Sequence, residues 1–365
     1  LKRHICLPTG MRHVVDTVVD ATQHEDGSIQ SIVTEKSGEF TADLFIDCTG
    51  FKSLLLEQKL KVPFISFGDT LQNDRAVATV IPYVDRDREL ENYTSCTAIE
   101  CGWVWNIPLW NRVGTGYVYS SKFATEQEAE DQLRKHLKSN RMVVPGTDRG
   151  NTAEFRHIKI KHGVHSHAWE KNVVGIGLAN GFIEPLESTG LMLTHECITK
   201  LIHTLLMRDG VVTQFDVDIF NHAFQEQIIG FKNFISQHYA LSMRHDTPYW
   251  QSVTGKITYS PEMNNYEPSL YNTYMAIAEK QHRNKYWGVD GGGIIYIAAG
   301  MGYNPIDTAY KEFADQKYYE IPGYETAVYN TWLKHQEEVM QHIATLPTHA
   351  EFLAKYIYKV DGTIS

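Results

Sequence analysis

Apolar and polar residues recur with clear periods along this 365-residue chain, and those periods predict its elements. Strand-like runs at 12–21, 29–36 and 39–46 are separated by Asp26-Gly27 and Ser37-Gly38, which predicts a β-meander. The last run ends in Asp47-Cys48-Thr49-Gly50. An apolar strand closing on Asp-x-x-Gly delivers a tight turn either to a ligand or simply to the next helix. Further strand-like runs lie at 76–83, 96–107, 116–123 and 155–161. Thr125-Glu126-Gln127-Glu128 is a capping box that opens a polar helix to about Lys138. Residues 172–174 read as a short buried strand, and Leu191, Leu193, Ile198, Leu201, Ile202 and Leu205 follow at helical spacing. Ile219, Phe220, Phe224, Ile228, Phe231, Phe234 and Ile235 then mark a long amphipathic helix, with Gly230 as an interruption. Helical patterns return at 271–286 and 325–343. The fold class is therefore mixed α/β, β-rich in the first half and helical in the last third.

Between the strand at 172–174 and the helix at 191–206 lies Gly-Ile-Gly-Leu-Ala-Asn-Gly-Phe-Ile-Glu-Pro-Leu-Glu-Ser-Thr-Gly, residues 175–190. Ser188 or Thr189 is a natural N-cap, and small residues there leave the first backbone N–H groups accessible. Free N–H groups at the positive end of a helix favour an anion. Glu184 and Glu187 stand directly before that site, where a carboxylate would repel the anion. The arrangement fits an ordinary capped helix behind an acidic loop, or a catalyst that needs both charges.

Trp103-Val104-Trp105-Asn106-Ile107-Pro108 is the second unusual stretch. Two tryptophans at i and i+2 on a strand point the same way and build a flat wall, with Pro108 expected to end the strand pairing. They suit a core, a pocket or an interface.

Composition narrows the function classes. The net charge is −10 and no lysine- or arginine-rich stripe is present, which argues against a nucleic-acid partner. Five scattered cysteines with no CxxC pair read as reduced thiols of an intracellular, cytoplasmic protein. No stretch offers about 18 consecutive apolar residues, so no membrane span is expected. His157, His162, His165 and His167 lack the cysteine or carboxylate spacing of a zinc site, and no metal is expected. Neither a G-x-S-x-G elbow nor a P-loop occurs, and Gly291-Gly292-Gly293 has no Lys-Ser/Thr behind it.

Trp-x-Trp-x-Ile-Pro at 103–108 and Glu-Pro-Leu-Glu-Ser-Thr-Gly at 184–190 together resemble the flavin-dependent halogenases, in particular the tryptophan halogenase family. Residues 42–50, the 239–250 stretch ending Asp246-Thr247-Pro248-Tyr249-Trp250, and Leu346-Pro347-Thr348 fit the same family in the same order. The resemblance is thinnest over about 252–286. The family's opening strand–GxGxxG–helix unit has no counterpart, and Gly175-Ile-Gly177-Leu-Ala-Asn180 is only its nearest imitation. Leu1-Lys2-Arg3 resembles the interior of a family member, which implies that this unit and the family's essential lysine lie upstream.

The resemblance implies a flavin-monooxygenase-like FAD module, a β-sheet layer and a C-terminal helical substrate cap. Residues 1–62 with 172–208 would belong to the FAD module, 63–171 to the β-rich cover and 209–365 to the cap. The implied activity is halogenation of an electron-rich aromatic, indole or phenol, by hypohalous acid made from oxygen and halide. It implies FAD, reduced by a separate flavin reductase that docks transiently, a halide ion, and a homo-oligomer. Glu187 and Ser188 would be catalytic: Glu187 stabilises the cationic ring and accepts its proton, and Ser188 bridges the flavin and lysine sides. Thr189 and Gly190 would hold the halide, while Glu184 is left a structural role. Asp47, Gly50, Gly177, Leu178 and Phe182 would contact the cofactor. Trp103, Trp105, Ile107, Pro108, Trp287 and Tyr271 would wall the substrate, with Trp287 matched to the family's C-terminal tryptophan. The spacing of Tyr271 from Trp287 departs from the tryptophan-specific pattern, and His282 stands where an acid is expected. A less polar aromatic is therefore favoured over free tryptophan. Two alternatives stay open: a related flavin-dependent aromatic hydroxylase, which should lack the paired tryptophans, and a non-catalytic binding module if the chain starts at Leu1.

Overall fold

The computed structural model describes residues 1–139, 153–254, 297, 300–301 and 322–358. It divides into two compact units. Among the described residues, the first holds Leu1–Asp69 and Lys161–Ile235, and the second holds Thr70–Ile160 and those from Ser236 onward.

In the first unit, β1 (Val18–Gln23), β2 (Ile29–Thr34) and β3 (Gly38–Phe40) form the antiparallel meander expected from the turns. The run at 39–46 is not one strand. Phe45–Asp47 forms a separate strand, β4, which leaves the meander and pairs in parallel with β13 (Val173–Gly175). Strand β12 (Trp169–Glu170) borders β13 on its other side. Strands β5 (Phe64–Ser66), β11 (Gly163–His165) and β14 (Gly181–Phe182) make a third small sheet. Ala21, Ile29, Phe45, Leu55, Leu56, Val62 and Val173 pack as one buried cluster that joins the meander to the β4–β13 pair. A helix, Thr189–Met207 (our α2), leaves the glycine-rich segment.

The second unit is built on a five-stranded antiparallel sheet, ordered β10-β6-β9-β8-β7. Its strands are β6 (Arg75–Ile81), β7 (Ser95–Ile99), β8 (Gly102–Leu109), β9 (Arg112–Tyr119) and β10 (Arg156–Lys159). The apolar run at 96–107 is thus two strands folded on a turn at Glu100-Cys101, because Gly102 accepts a backbone approach that no side chain would: a Cβ there would lie 2.0 Å from the Val118 carbonyl oxygen. Pro108 does not end the pairing, contrary to expectation. Strand β8 continues to Leu109, and Pro108 sits opposite Val113 on β9. Proline is tolerated because the last rung to β7 is Ser95–Asn106, so β8 is an edge beyond it.

Helix α1 (Glu126–Ser139) starts at the expected capping box: Glu128 N–H donates to Thr125 Oγ1 at 3.3 Å, and Thr125 N–H donates to Glu128 Oε2 at 2.8 Å. Helix α3 (Gln214–Ala240) runs unbroken through Gly230, since Phe224, Ile228, Phe231 and Ile235 on one stripe are buried and outweigh the roughly 1 kcal/mol that glycine costs a helix. Two further helices are α4 (Pro248–Val253) and α5 (Tyr324–Ile343), the latter matching the last helical pattern. The helix expected at 271–286 lies outside the described residues. No helix among the described residues is long and apolar enough to cross a membrane.

Candidate active site

The first unit gathers its candidate residues where β4 and β13 end together. Parallel pairing sets Gly175 beside Asp47, so the loops after the two strands emerge at one edge, the usual ligand-facing edge of parallel strands. Asp47 is buried, and its carboxylate is spent on the turn. Its Oδ1 accepts from the Thr49 N–H at 3.0 Å and the Thr49 hydroxyl at 2.6 Å. Its Oδ2 accepts from the N–H groups of Leu55 and Leu56 at 2.8 and 3.0 Å. Asp47 therefore shapes the loop that carries Gly50, whose φ of 70° lies in the left-handed region. The second loop is tied to the first: Ser53 Oγ donates to the Ala179 carbonyl at 2.7 Å, and Phe51 meets Phe182 edge-on at 5.7 Å.

Behind these loops lies a cavity of about 270 Å³ lined by Gly177, Leu178 and Phe182, by Gly190 and Thr194 of α2, and by Phe224 and Ile228 of α3 among others. Three of the five expected cofactor residues and one of the two expected halide residues thus share one hollow. Sequence reasoning missed Thr194, Phe224 and Ile228. The last two stand at i and i+4 on an amphipathic helix, a signal that reads equally well as core.

The acidic segment turns sharply into α2. Pro185–Glu187 is a single 3₁₀ turn, with Glu184 buried and Glu187 exposed. Ser188 takes a left-handed conformation at φ 54°, ψ 28°, which costs a non-glycine residue roughly 1–2 kcal/mol. Of the two expected candidates, Ser188 and Thr189, it is Ser188 that occupies the N-cap position, but its side chain makes no capping hydrogen bond. The left-handed backbone turns the chain into the helix without a capping bond from the Ser188 side chain. Thr189 is only 4% exposed, and its Oγ1 has no hydrogen-bond partner among the described residues. A Cβ on Gly190 would meet nothing within 4 Å. An uncapped helix start, a buried unmatched hydroxyl and open space beside Gly190 fit a small anion.

Histidines brace this unit without forming a metal site. The His165 ring hydrogen-bonds through Nδ1 to the Asn180 carbonyl at 2.7 Å, and its Nε2 faces Glu57 Oε2 at 3.2 Å. Burial raises the Glu57 pKa, but the Lys161 ammonium, 2.8 Å away, together with His165 leaves it below its ordinary value. No group of three His, Cys, Asp or Glu side chains able to hold a metal exists among the described residues. All five cysteines are free thiols.

In the second unit, alternation along β8 puts Trp103, Trp105 and Ile107 on one face and Pro108 on the other. Trp103 is 4% exposed and its Nε1 has no partner among the described residues. The two indoles lie 6.1 Å apart at 57°. Small neighbours give them room: Gly116 is the β9 partner of Trp105, and Ala98 is the β7 partner of Trp103. Tyr271 and Trp287 lie outside the described residues.

The model of the family described as tryptophan halogenase matches residues 1–315, and the chain belongs to that family. It is 40% identical over 244 residues to the 7-chloro-L-tryptophan 6-halogenase KtzR of Kutzneria sp. strain 744, a match covering 67% of this chain and 45% of that protein. It is 36% identical over 254 residues to the tryptophan 7-halogenase RebH of Lentzea aerocolonigenes, covering 69% and 46%. Among solved structures, apo VirX1 superposes with a TM-score of 0.84 at 42% identity, covering 98% of this chain and 67% of that one. The tryptophan 6-halogenase SttH of Streptomyces toxytricini gives 0.77 at 31%, covering 95% and 64%. The chain spans less than half the length of these curated relatives. The mixed α/β fold is that of the flavin-dependent halogenases, and the family implies use of FAD and halide.

Proposed function

We propose that this chain contributes the halide site, the acid–base residue and the aromatic wall of a flavin-dependent halogenase acting on an indole or phenol. The observation that carries the reading is the start of α2, where Thr189 offers a buried, unmatched hydroxyl directly behind Glu187 in a chain of this family. Bound FAD, reduced by a separate reductase, would supply the electrons that turn oxygen and halide into hypohalous acid.

The protein's own residues do the rest. Thr189 Oγ1 and the first N–H groups of α2 hold the halide. Gly177, Leu178 and Phe182 line the cavity against which a planar ring system fits, and Gly50 and Asp47 shape the loop beside it. Trp103, Trp105 and Ile107 offer apolar surface to an aromatic ring. Glu187 stabilises positive charge on the ring and takes its proton, with Ser188 as the polar link between the flavin and lysine sides. In this reading residues 1–62 and 172–208 serve the flavin, 63–171 cover it, and 209–365 cap the substrate.

Paired tryptophans favour halogenation over hydroxylation, because a wall between oxidant source and substrate keeps the two apart. The test is a turnover assay of the full polypeptide with a flavin reductase, halide salts and a panel of indoles and phenols, read by mass spectrometry. Halogenated product that depends on added halide is expected. Hydroxylated product, or none from any substrate, would overturn the reading.

A further inference from the structure

Strand β8 begins at a turn whose backbone is held by side chains from one short segment of the second unit. Trp250 Nε1 donates to the Ile99 carbonyl at 2.7 Å, and Arg244 Nη1 donates to the same oxygen at 3.1 Å. Thr247 Oγ1 donates to the Glu100 carbonyl at 2.8 Å. On the other side, the Cys101 N–H donates to Tyr117 Oη at 2.7 Å. Three consecutive residues of the turn are therefore fixed, and Gly102 locks the next by its close approach to Val118. Trp103 comes immediately after.

The clamp is itself rigid. Thr247 caps α4 by accepting from the Trp250 N–H at 3.3 Å, so one hydroxyl both starts the helix that carries Trp250 and grips the turn. The Trp250 indole is buried, stacks on Tyr239 at 6.2 Å and meets Tyr249 edge-on at 5.0 Å. The Arg244 guanidinium lies 5.1 Å from its ring centroid and is tied to Asp246 at 2.6 Å. What these contacts fix is the register and tilt of the strand that carries both indoles.

We propose that Thr247 and Trp250 are positioning residues for aromatic selectivity: by fixing the 99–101 turn they set the angle at which Trp103 and Trp105 present a substrate ring. The proposal rests on the reading of those indoles as a substrate wall. A ring displaced by about 1 Å from its productive pose loses rate steeply, so small movements of the turn are felt in product distribution.

The test compares Thr247→Val, which deletes the donor, with Thr247→Ser, which keeps it, in the full polypeptide. The circular-dichroism exciton couplet of the Trp103–Trp105 pair, assigned with Trp105→Phe, reports the indole geometry without reference to activity. Thr247→Val should change the couplet and shift KM for the aromatic or the ratio of product isomers about fivefold, the weight of one lost hydrogen bond. Oxidant formation without aromatic substrate should stay within about twofold of wild type. Thr247→Ser should restore every value. Should Thr247→Val fail to fold, Trp250→Phe removes the N–H donor together with part of the ring that packs on Tyr239, and is read by the isomer ratio. An unchanged couplet, or a changed couplet with KM and isomer ratio at wild-type values, overturns the proposal. Absence of halogenation by the wild type would instead remove the functional reading and leave the couplet result standing.

Discussion

The ring of Trp105 lies across the backbone of Gly116, its partner on the neighbouring strand: a Cβ on Gly116 would stand 2.2 Å from both Cζ2 and Cη2 of the indole. The same Cβ would lie 2.7 Å from the Val77 carbonyl, so neither the ring nor the sheet can yield cheaply. Glycine at 116 is therefore the floor on which one indole of the pair rests. Gly116→Ala should destabilise the protein by about 1–3 kcal/mol in urea unfolding, the ordinary cost of overpacking. Adding Trp105→Leu should recover part of that loss but not all, because the clash with Val77 remains. Full additivity of the two substitutions would disprove the contact.

Glu187 is exposed at the end of its 3₁₀ turn, so replacing it disturbs little packing. Glu187→Gln should leave the melting temperature and the oxidation of reduced flavin near wild type. Halogenated product should fall by about 10²-fold or more, the usual weight of a positioned acid–base group. Product within a factor of a few of wild type would take Glu187 out of the mechanism.

For Thr189, stability and function should move in opposite directions. Its hydroxyl is buried and unmatched among the described residues, a state that costs about 1–3 kcal/mol. Thr189→Val keeps the shape and removes that cost, so the urea midpoint should hold or rise. The halide concentration for half-maximal rate should rise about tenfold if the hydroxyl binds the ion. A variant that is less stable and unchanged toward halide would refute this assignment.

Asp47 gives a purely structural prediction. Four donors converge on its two oxygens, and an amide in place of the carboxylate turns one acceptor into a donor facing N–H groups. Asp47→Asn should cost about 2–4 kcal/mol, as expected for breaking a buried set of charge-assisted bonds. Flavin binding should weaken only as far as the fold does, measured by fluorescence titration at a temperature where the variant remains folded.

Lys200 on α2 is 5% exposed, and its ammonium bonds Gln227 Oε1 at 3.0 Å. Burial lowers its pKa from 10.5 to about 8. Between those two values the unfolded chain binds a proton that the folded chain does not, so this group makes stability rise with pH across that window. Below pH 8 the contribution levels off. The urea midpoint of the wild type relative to Lys200→Met should climb from neutral pH to pH 10, and a flat difference would show that Lys200 stays charged throughout.

Several features are legible in the sequence alone. The capping box at Thr125, the meander turns, the helix behind Thr189 and the family motifs each depend on neighbours within a few residues. Local chemistry therefore decides them. The pairing of Pro108 and the fold-back within 96–107 have no local signature, because pairing partners decide whether a proline terminates a strand and whether an apolar run folds back on itself. Residue type offers Ser188 or Thr189 as the cap, and the structure places Ser188 there without a capping bond. Its left-handed backbone is imposed by the Pro185–Glu187 turn ahead of it, and that geometry carries no signature in composition.

The sequence by itself determined the family, the meander turns, the capping box at Thr125 and the helix behind Thr189, because motif spacing and hydrophobic period are properties of the chain alone. Only the tertiary structure decided that Asp47 is spent on its own loop rather than left open. The same holds for the joining of Phe224 and Ile228 to Gly177 and Gly190 around one cavity, and for the hold of Thr247 and Trp250 on the turn before Trp103. Each of these pairs residues dozens to more than a hundred positions apart, except the bonds within the Asp47 loop. Contacts across such separations arise from how elements pack, and no local pattern of residues encodes them.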